Sequence, residues 1–224
     1  MPGRRPGTFA FAAQVPSGHF GVTVMSVPSD ESQVPSVPFD PSRWAELVAA
    51  IADGEPHAVE EVFAEMQPRL MRFLRSQEPR AADDLAAEVW LAVAGGISRF
   101  DGDWSDFRAW VFSIARRRLA DHRRTAVRRR TDVVDVQTFA RHQADDAPED
   151  EALDKMSGQQ AAALITSILS GDQAEVLLLR VLADLDVDQV AAIMQRSPNW
   201  VRVTQHRAVR TLAKRLGPKI VVMR

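Results

Sequence analysis

Cysteine is absent from this 224-residue chain, which excludes disulfides, cysteine-ligated zinc and a thiol redox switch within it. Histidine is sparse. Its five copies (His19, His57, His122, His142 and His206) are scattered without an HxxxH pairing, so no metal site is expected. No apolar run approaches the roughly 18 residues that a membrane span needs. Arg4 and Arg5 precede a weakly apolar stretch in the manner of a signal peptide, but Gln14, Pro16, Ser17 and His19 interrupt it. There is no phosphate loop, no triad-like grouping and no convergent carboxylate pair on an apolar stretch. The expectation is therefore a cytoplasmic protein that is not an enzyme, with no cofactor, no small-molecule substrate and no membrane insertion. A chain that is 46% hydrophobic and 26% charged suits a globular protein of one or two domains.

What the chain does have is positive charge in blocks. The net charge is only −2, yet the segment from Phe107 to Arg130, FRAWVFSIARRRLADHRRTAVRRR, holds nine arginines against the single acid Asp121. Phe107, Trp110, Val111 and Ile114 recur at i, i+3, i+4 and i+7, one stripe of a helix. Arg116 and Arg123 fall on roughly the opposite side, and Trp110, Arg117, Asp121 and Arg124 lie along an edge between the two. A surface helix normally mixes signs. An arginine run that continues an aromatic, core-forming helix points to a fixed polyanion as partner, although a solvated basic face stays the plain alternative.

Residues 1–41 carry seven of the 13 prolines and no periodic apolar pattern, so a disordered extension is expected. From Ser42, a plausible N-cap, the pattern turns helical: Trp44, Leu47, Val48 and Ile51 form a stripe ended by Gly54. Pro56 opens a second helix through Val59, Val62, Phe63 and Met66, which Pro68 is expected to kink or divide. Asp83 or Asp84 caps a third, DDLAAEVWLAVAGGISRF, with Leu85, Val89 and Val93 inward and Asp84 and Glu88 outward. Gly95 and Gly96 end it. With the basic helix this makes four helices and no strand across residues 42–130.

Residues 131–155 read as an acidic flexible linker that holds Asp145, Asp146, Glu149, Asp150, Glu151 and Asp154 with almost no large apolar residue. From about 156 to 218 the pattern is helical again. Leu164, Ile165, Ile168 and Leu169 are followed by DQAEVLLLRVL, apolar enough to be central to a small core. Asp186 caps a short helix, Gln195-Arg196 makes a brief turn, and Ser197-Pro198 supplies an N-cap with proline at the first helical position. The helix it opens is PNWVRVTQHRAVRTLAKRL. Helix, tight turn, second helix is the helix-turn-helix arrangement, whose second helix enters the major groove. No acid occurs between Gln189 and Lys219. The fold class expected is all-α: a four-helix domain and a helix-turn-helix domain that fold independently.

Two basic helical modules in this order resemble the extracytoplasmic-function (ECF) group of bacterial RNA polymerase sigma factors, over about Trp44–Arg130 and Gln159–Leu216. In the second conserved region the family pattern is similar to DLVQETFLRAW…RF…FRAWLYRIARNRAID, where this chain has DLAAEVWLAVAGGISRF and FRAWVFSIARRRLAD. In the fourth it is similar to LPxxQREVLLLR…LSYEEIAEILGISxGTVRSRLHRARRRL, where this chain has LSGDQAEVLLLR and LDVDQVAAIMQRSPNWVRVTQHRAVRTLAKRL. Ser170 and Ala174 replace a usual proline and arginine. Gln195 replaces the turn glycine, where a left-handed residue costs about 1 kcal/mol relative to glycine. Asn199 and Trp200 stand at a common Gly-Thr, and Arg117 at a frequent asparagine.

The resemblance implies an initiation factor that binds core RNA polymerase and directs it to promoters, with an anti-sigma factor as a further partner. It assigns the minus-thirty-five element to Arg202, Val203, His206 and Arg207, with Asn199, Trp200 and Arg210 beside them; the i, i+1, i+4, i+5 spacing independently puts the first four on one face. Trp200 fits a core equally well. The resemblance assigns recognition and melting of the minus-ten element to Trp110, Arg116, Arg117, Asp121, Arg123 and Arg124. Melted bases need aromatic surfaces to stack on beside cations, and Trp104, Phe107, Trp110 and Phe112 supply rings, though Phe107 and Trp110 read first as core. It assigns polymerase contact to Asp84, Leu85, Glu88 and Leu91. The competing reading is a stand-alone helix-turn-helix regulator, which would carry an apolar dimer stripe outside its DNA-binding helices; none is found.

Overall fold

The structure is a computed structural model that describes residues 39–132 and 158–216; the expected N-terminal extension up to residue 38, residues 133–155 of the expected linker and Lys219 lie outside them, while residues 131 and 132 continue a helix. All regular elements among the described residues are helical. They are α1 (Trp44–Ala52), α2 (Pro56–Gln77), α3 (Ala82–Gly96), α4 (Trp104–Asp132), α5 (Gly158–Ile168), α6 (Gly171–Val181), α7 (Val187–Met194) and α8 (Pro198–Leu216).

The ends of these helices depart from expectation at three points. Ser42 is not the cap of α1. A short 3₁₀ turn, Pro41–Arg43, precedes it, and Asp40 caps that turn by accepting from the Ser42 amide at 2.9 Å. Packing against the core extends to residues before Ser42, since Phe39 lies with its ring 4.2 Å from that of Trp104. Asp83 and Asp84 lie inside the first turn of α3, not at its N-cap, where their charge complements the exposed amides of the helix end. Pro68 does not divide α2, which runs unbroken through it. Pro68 and Ala64, whose carbonyl loses its i+4 donor, are both exposed, so water can satisfy that carbonyl.

The core of the first half is aromatic. Trp44 lies 5.2 Å from Trp104 and 4.6 Å from Phe107, and Phe100 stacks on Trp110 at 5.2 Å. Phe73, Phe107 and Phe112 are fully buried. The Trp44 indole N–H donates to the Gly102 carbonyl at 2.9 Å, pinning the loop before α4. Two indole–phenyl pairs of this kind contribute beyond their buried area because edge and face carry opposite partial charge.

Helices α5 to α8 pack against this layer: α5 lies along α2, and α4 meets α7. Val176, Leu178, Leu179, Val190, Ala191, Met194 and Val201 belong to the same apolar cluster as Phe107 and Phe112, while Leu169, Ala174, Leu177, Ala208 and Leu212 form a smaller one. In this structure the two halves share a core across the join that the apolar patterns suggested would separate them.

Candidate nucleic-acid interface

The helix-turn-helix is built by caps at each end. Asp186 accepts from the Gln189 amide at 2.8 Å while the Gln189 side chain accepts from the Asp186 amide at 3.0 Å, a reciprocal capping box that starts α7. At the other end the Gln195 amide donates to Ala192 at 3.2 Å and the Arg196 amide to Ala191 at 2.9 Å. That pair of bonds is a Schellman closure, and it requires a left-handed residue. Gln195 adopts that conformation, with φ 54° and ψ 47°, as its place at the turn glycine suggested. Ser197 then caps α8 by accepting from the Trp200 amide at 3.2 Å.

Helix α8 separates its faces cleanly. Val201, Thr204, Ala208 and Leu212 are buried; Asn199, Arg202, Val203, His206, Arg207 and Arg210 are exposed. The i, i+3, i+7, i+11 recurrence of the buried set turns the others to solvent as one cationic face. Thr204 was not anticipated in that buried stripe. Trp200 is half-buried against the core, and the Arg196 guanidinium lies 5.4 Å from its ring centroid, a cation–π pair at the open end of the helix. Sequence reasoning missed this pair, for which the i, i+4 spacing was the available signal.

The residues proposed for the minus-ten element divide into two groups. Arg117, Asp121 and Arg124 are exposed along one edge of α4, with Arg124 donating to Asp121 at 3.0 Å. Trp110 is half-buried and held between Phe100 and the backbone of Gly96, where a β-carbon would come within 2.8 Å of the indole. Arg116 and Arg123 point elsewhere and are engaged. Arg116 pairs with Glu175 at 3.0 Å, and Arg123 with Glu78 at 2.8 Å. Trp104, Phe107 and Phe112 are interior, so they offer no stacking surface to bases; their large apolar area is satisfied by one another.

On α3, Asp84, Glu88 and Leu91 are exposed, Leu91 by 60%. Leu85 is not: it is 3% exposed and belongs to the core, as its place on the stripe with Val89 and Val93 dictates, so its side chain is withdrawn from any contact face. Arg118 approaches Glu88 to 3.7 Å, linking this face to α4. Burial pushes the carboxyl of Glu175 above the ordinary glutamate range, against the opposing pull of Arg116 and Arg123 and with a smaller push from Asp172. Among the described residues no group of three or more histidine or acidic side chains is placed to hold a metal, and no helix is long and apolar enough to cross a membrane.

Comparison with known proteins agrees with this geometry. Residues 62–129 match the family model described as sigma-70 region 2. The chain is 31% identical over 186 residues to the ECF RNA polymerase sigma factor BldN of Streptomyces coelicolor, covering 81% of this chain and 69% of BldN. It is 32% identical over 185 residues to the ECF RNA polymerase sigma factor SigD of Mycobacterium tuberculosis, covering 80% and 86% of the two chains. Two solved structures share the fold. CnrH, in complex with the cytosolic domain of CnrY, gives a TM-score of 0.53 at 20% identity over 79% of this chain and 99% of CnrH. RpoE of Bartonella quintana, in complex with the anti-sigma factor NepR, gives 0.54 at 21% identity over 74% and 98%. A helix-turn-helix whose cationic face carries no acid, a basic region-2 helix, and relatives matched along most of their length converge, and the chain belongs to the ECF family of RNA polymerase sigma factors.

Proposed function

We propose that this sigma factor docks on core RNA polymerase through Asp84, Glu88 and Leu91, reads the minus-ten element along the Trp110, Arg117, Asp121 and Arg124 edge of α4, and binds the minus-thirty-five element with α8. The observation that carries the reading is the exposed face of α8. Arg202, Val203, His206 and Arg207 share one side of a helix that follows a tightly closed turn, the geometry of a major-groove reader. Arginine can bond a guanine edge at two points, and phosphate contacts add affinity without reading sequence. Exposed carboxylates beside an exposed leucine on α3 suit a basic, partly apolar partner. Strand opening on this reading is driven by binding free energy, without hydrolysis or any other catalysed step.

An anti-sigma protein is the further partner, on the analogy of CnrH with CnrY and RpoE with NepR; with no cysteine here, redox sensing would reside in that partner. The place of action is the cytoplasm, and the two modules are centred on residues 42–130 and 156–218, the first extended to Phe39 and Asp132. The stand-alone regulator is disfavoured because the exposed large apolar residues among those described, Val59, Leu91, Val127 and Val203, lie on four different helices and form no dimer stripe. The test is in vitro transcription with core polymerase on a library of promoter fragments. Initiation at a defined subset is expected. Random initiation, or none, would sink the reading.

A further inference from the structure

Arg196 belongs to none of the sets assigned to DNA, yet it stands at the open end of the recognition helix. Its guanidinium lies 5.4 Å from the centroid of the Trp200 indole. Both backbones are pinned. The Arg196 amide donates to the Ala191 carbonyl at 2.9 Å beside left-handed Gln195, and the Trp200 amide donates to the Ser197 hydroxyl at 3.2 Å. The indole is half-buried against the core, while Arg196 itself is exposed. A cation–π contact draws on the charge of a guanidinium and leaves its N–H donors to bond elsewhere. Among the described residues, no side-chain N–H of Arg196 meets an acceptor.

The two residues depart together from the family pattern. Where that pattern resembles ILGISxGTV, this chain has IMQRSPNWV, with Arg196 at the isoleucine and Trp200 at the threonine. The turn needs neither side chain, because backbone bonds at Gln195 and Arg196 and the Ser197 cap close it. Trp200, Val203 and Arg207 recur at i, i+3 and i+7, one line along α8, and Val203 and Arg207 are exposed on it. The contact with Trp200 sets Arg196 at the N-terminal end of that line, the end of a recognition helix that meets base edges. One helical turn rises about 5.4 Å and base pairs repeat at roughly 3.4 Å, so Arg196 extends the line by about one or two base pairs.

Resting on the sigma-factor reading above, we propose that Arg196 is a specificity-determining residue of this chain. Held against Trp200, it reads a guanine at the end of the upstream element, beyond the bases that face Val203 and Arg207. Guanine offers O6 and N7 as two acceptors on one major-groove edge, which match the fork of a guanidinium. Phosphate binding asks chiefly for positive charge, which Lys214 and Arg215 already supply on exposed turns of α8. Fixing a guanidinium on a ring adds orientation instead, and orientation matters where two acceptors lie in one rigid plane. Trp200 is the positioning residue. Its anchored indole takes up the rotamer freedom of Arg196 before DNA arrives, so less is lost on binding.

The test uses the full chain reconstituted with core polymerase and a pool of DNA fragments randomised across the upstream element. Captured fragments are sequenced. Wild type is expected to enrich guanine by about tenfold at a position at one end of the element. Arg196→Ile, which supplies the residue type of the family pattern, should abolish that enrichment and keep the rest of the motif. Trp200→Leu keeps an apolar side chain against the core but removes the ring. It should lower the enrichment by about threefold, the scale of an exposed cation–π pair. Base ratios come only from folded molecules, so partial unfolding of a variant lowers the yield without moving them. An unchanged motif from Arg196→Ile makes Arg196 a cover for the indole, and evenly weakened capture makes it a phosphate clamp; either result overturns the proposal. Full enrichment from Trp200→Leu overturns it too, since the ring then positions nothing. A wild-type pool without any motif overturns the sigma-factor reading and this proposal with it, whereas a motif indifferent to Arg196 leaves that reading standing.

Discussion

Replacing Gln195 with glycine should make this protein more stable, although glycine usually weakens folded chains. Gln195 sits at φ 54°, ψ 47°, where the β-carbon of an L residue crowds the following carbonyl at a cost of about 1–2 kcal/mol. Glycine removes that crowding but loses more backbone freedom on folding, which returns roughly 0.5–1 kcal/mol. The side chain is exposed, so truncation gives up little packing. The difference is a net gain of about 0.5–1 kcal/mol. For a folding unit of this size about 2–4 °C accompany each kcal/mol, so the melting temperature should rise by about 1–4 °C. The assay is thermal unfolding followed at 222 nm, with urea unfolding to check that the slope is unchanged. Gln195→Val is the control, because a β-branched residue tolerates a left-handed backbone poorly and should lower stability by about 1 kcal/mol or more. A glycine variant that melts lower than wild type, beside a valine variant that melts at the same temperature, would refute the left-handed turn and the Schellman closure built on it.

Other perturbations test the site and its supports. Arg207→Ala should cost about 1–3 kcal/mol on a cognate upstream duplex and relax preference at one or two bases. Lys214→Ala should weaken cognate and scrambled duplexes by similar factors, since phosphate carries no sequence information; equal losses for Arg207→Ala would make that residue a phosphate clamp. Gly96→Ala puts a β-carbon 2.8 Å from the Trp110 indole and should destabilise by about 1–3 kcal/mol through overpacking. Most of that loss should vanish in a Trp110→Leu background, and its persistence there would show that the clash is not the cause. Glu175 has a folded-state affinity for protons raised by burial, with Arg116 and Arg123 opposing and Asp172 assisting. The folded protein therefore binds more protons than the unfolded one above pH 4.5, and wild type should lose stability relative to Glu175→Gln as pH rises from there. Urea midpoints across pH measure this, and a relative gain with rising pH would contradict the buried carboxyl.

Most helices were legible because they depend on neighbours in the sequence. Asp186 and Ser197 mark the starts of α7 and α8 through side-chain–backbone bonds that span three residues, and Gln195 stands in the sequence where a turn glycine would, which points to its left-handed backbone. The apolar stripes of α1 and α4 likewise follow from a 3.6-residue period. Local competition was harder to read. Asp40, not Ser42, wins the first amide, and Pro68 is absorbed because its turn of α2 faces water. The burial of Leu85 was present in its stripe and was overridden by resemblance. Least legible was the union of the two halves, which rests on pairs such as Arg116 with Glu175 and Ser105 with Gln189, 59 and 84 residues apart. Charge complementarity at such separation has many equivalent solutions in the sequence, and only the packing of α7 on α4 selects among them.

The aromatic cluster under α4 gives the molecule an uneven optical signature. With no tyrosine and five tryptophans, ultraviolet absorption and emission at long wavelength come from indoles alone. Four of them, Trp44, Trp90, Trp104 and Trp110, lie in the first half, and Trp44 and Trp104 have centroids 5.2 Å apart, close enough to couple their transitions. Trp200, at the start of the recognition helix beneath Arg196, is the single reporter of the second half. Total emission thus follows the first half almost exclusively. A chain in which the other four are replaced by phenylalanine would turn the recognition helix into its own spectrometer, sensitive to the moment DNA engages Arg196 on the ring.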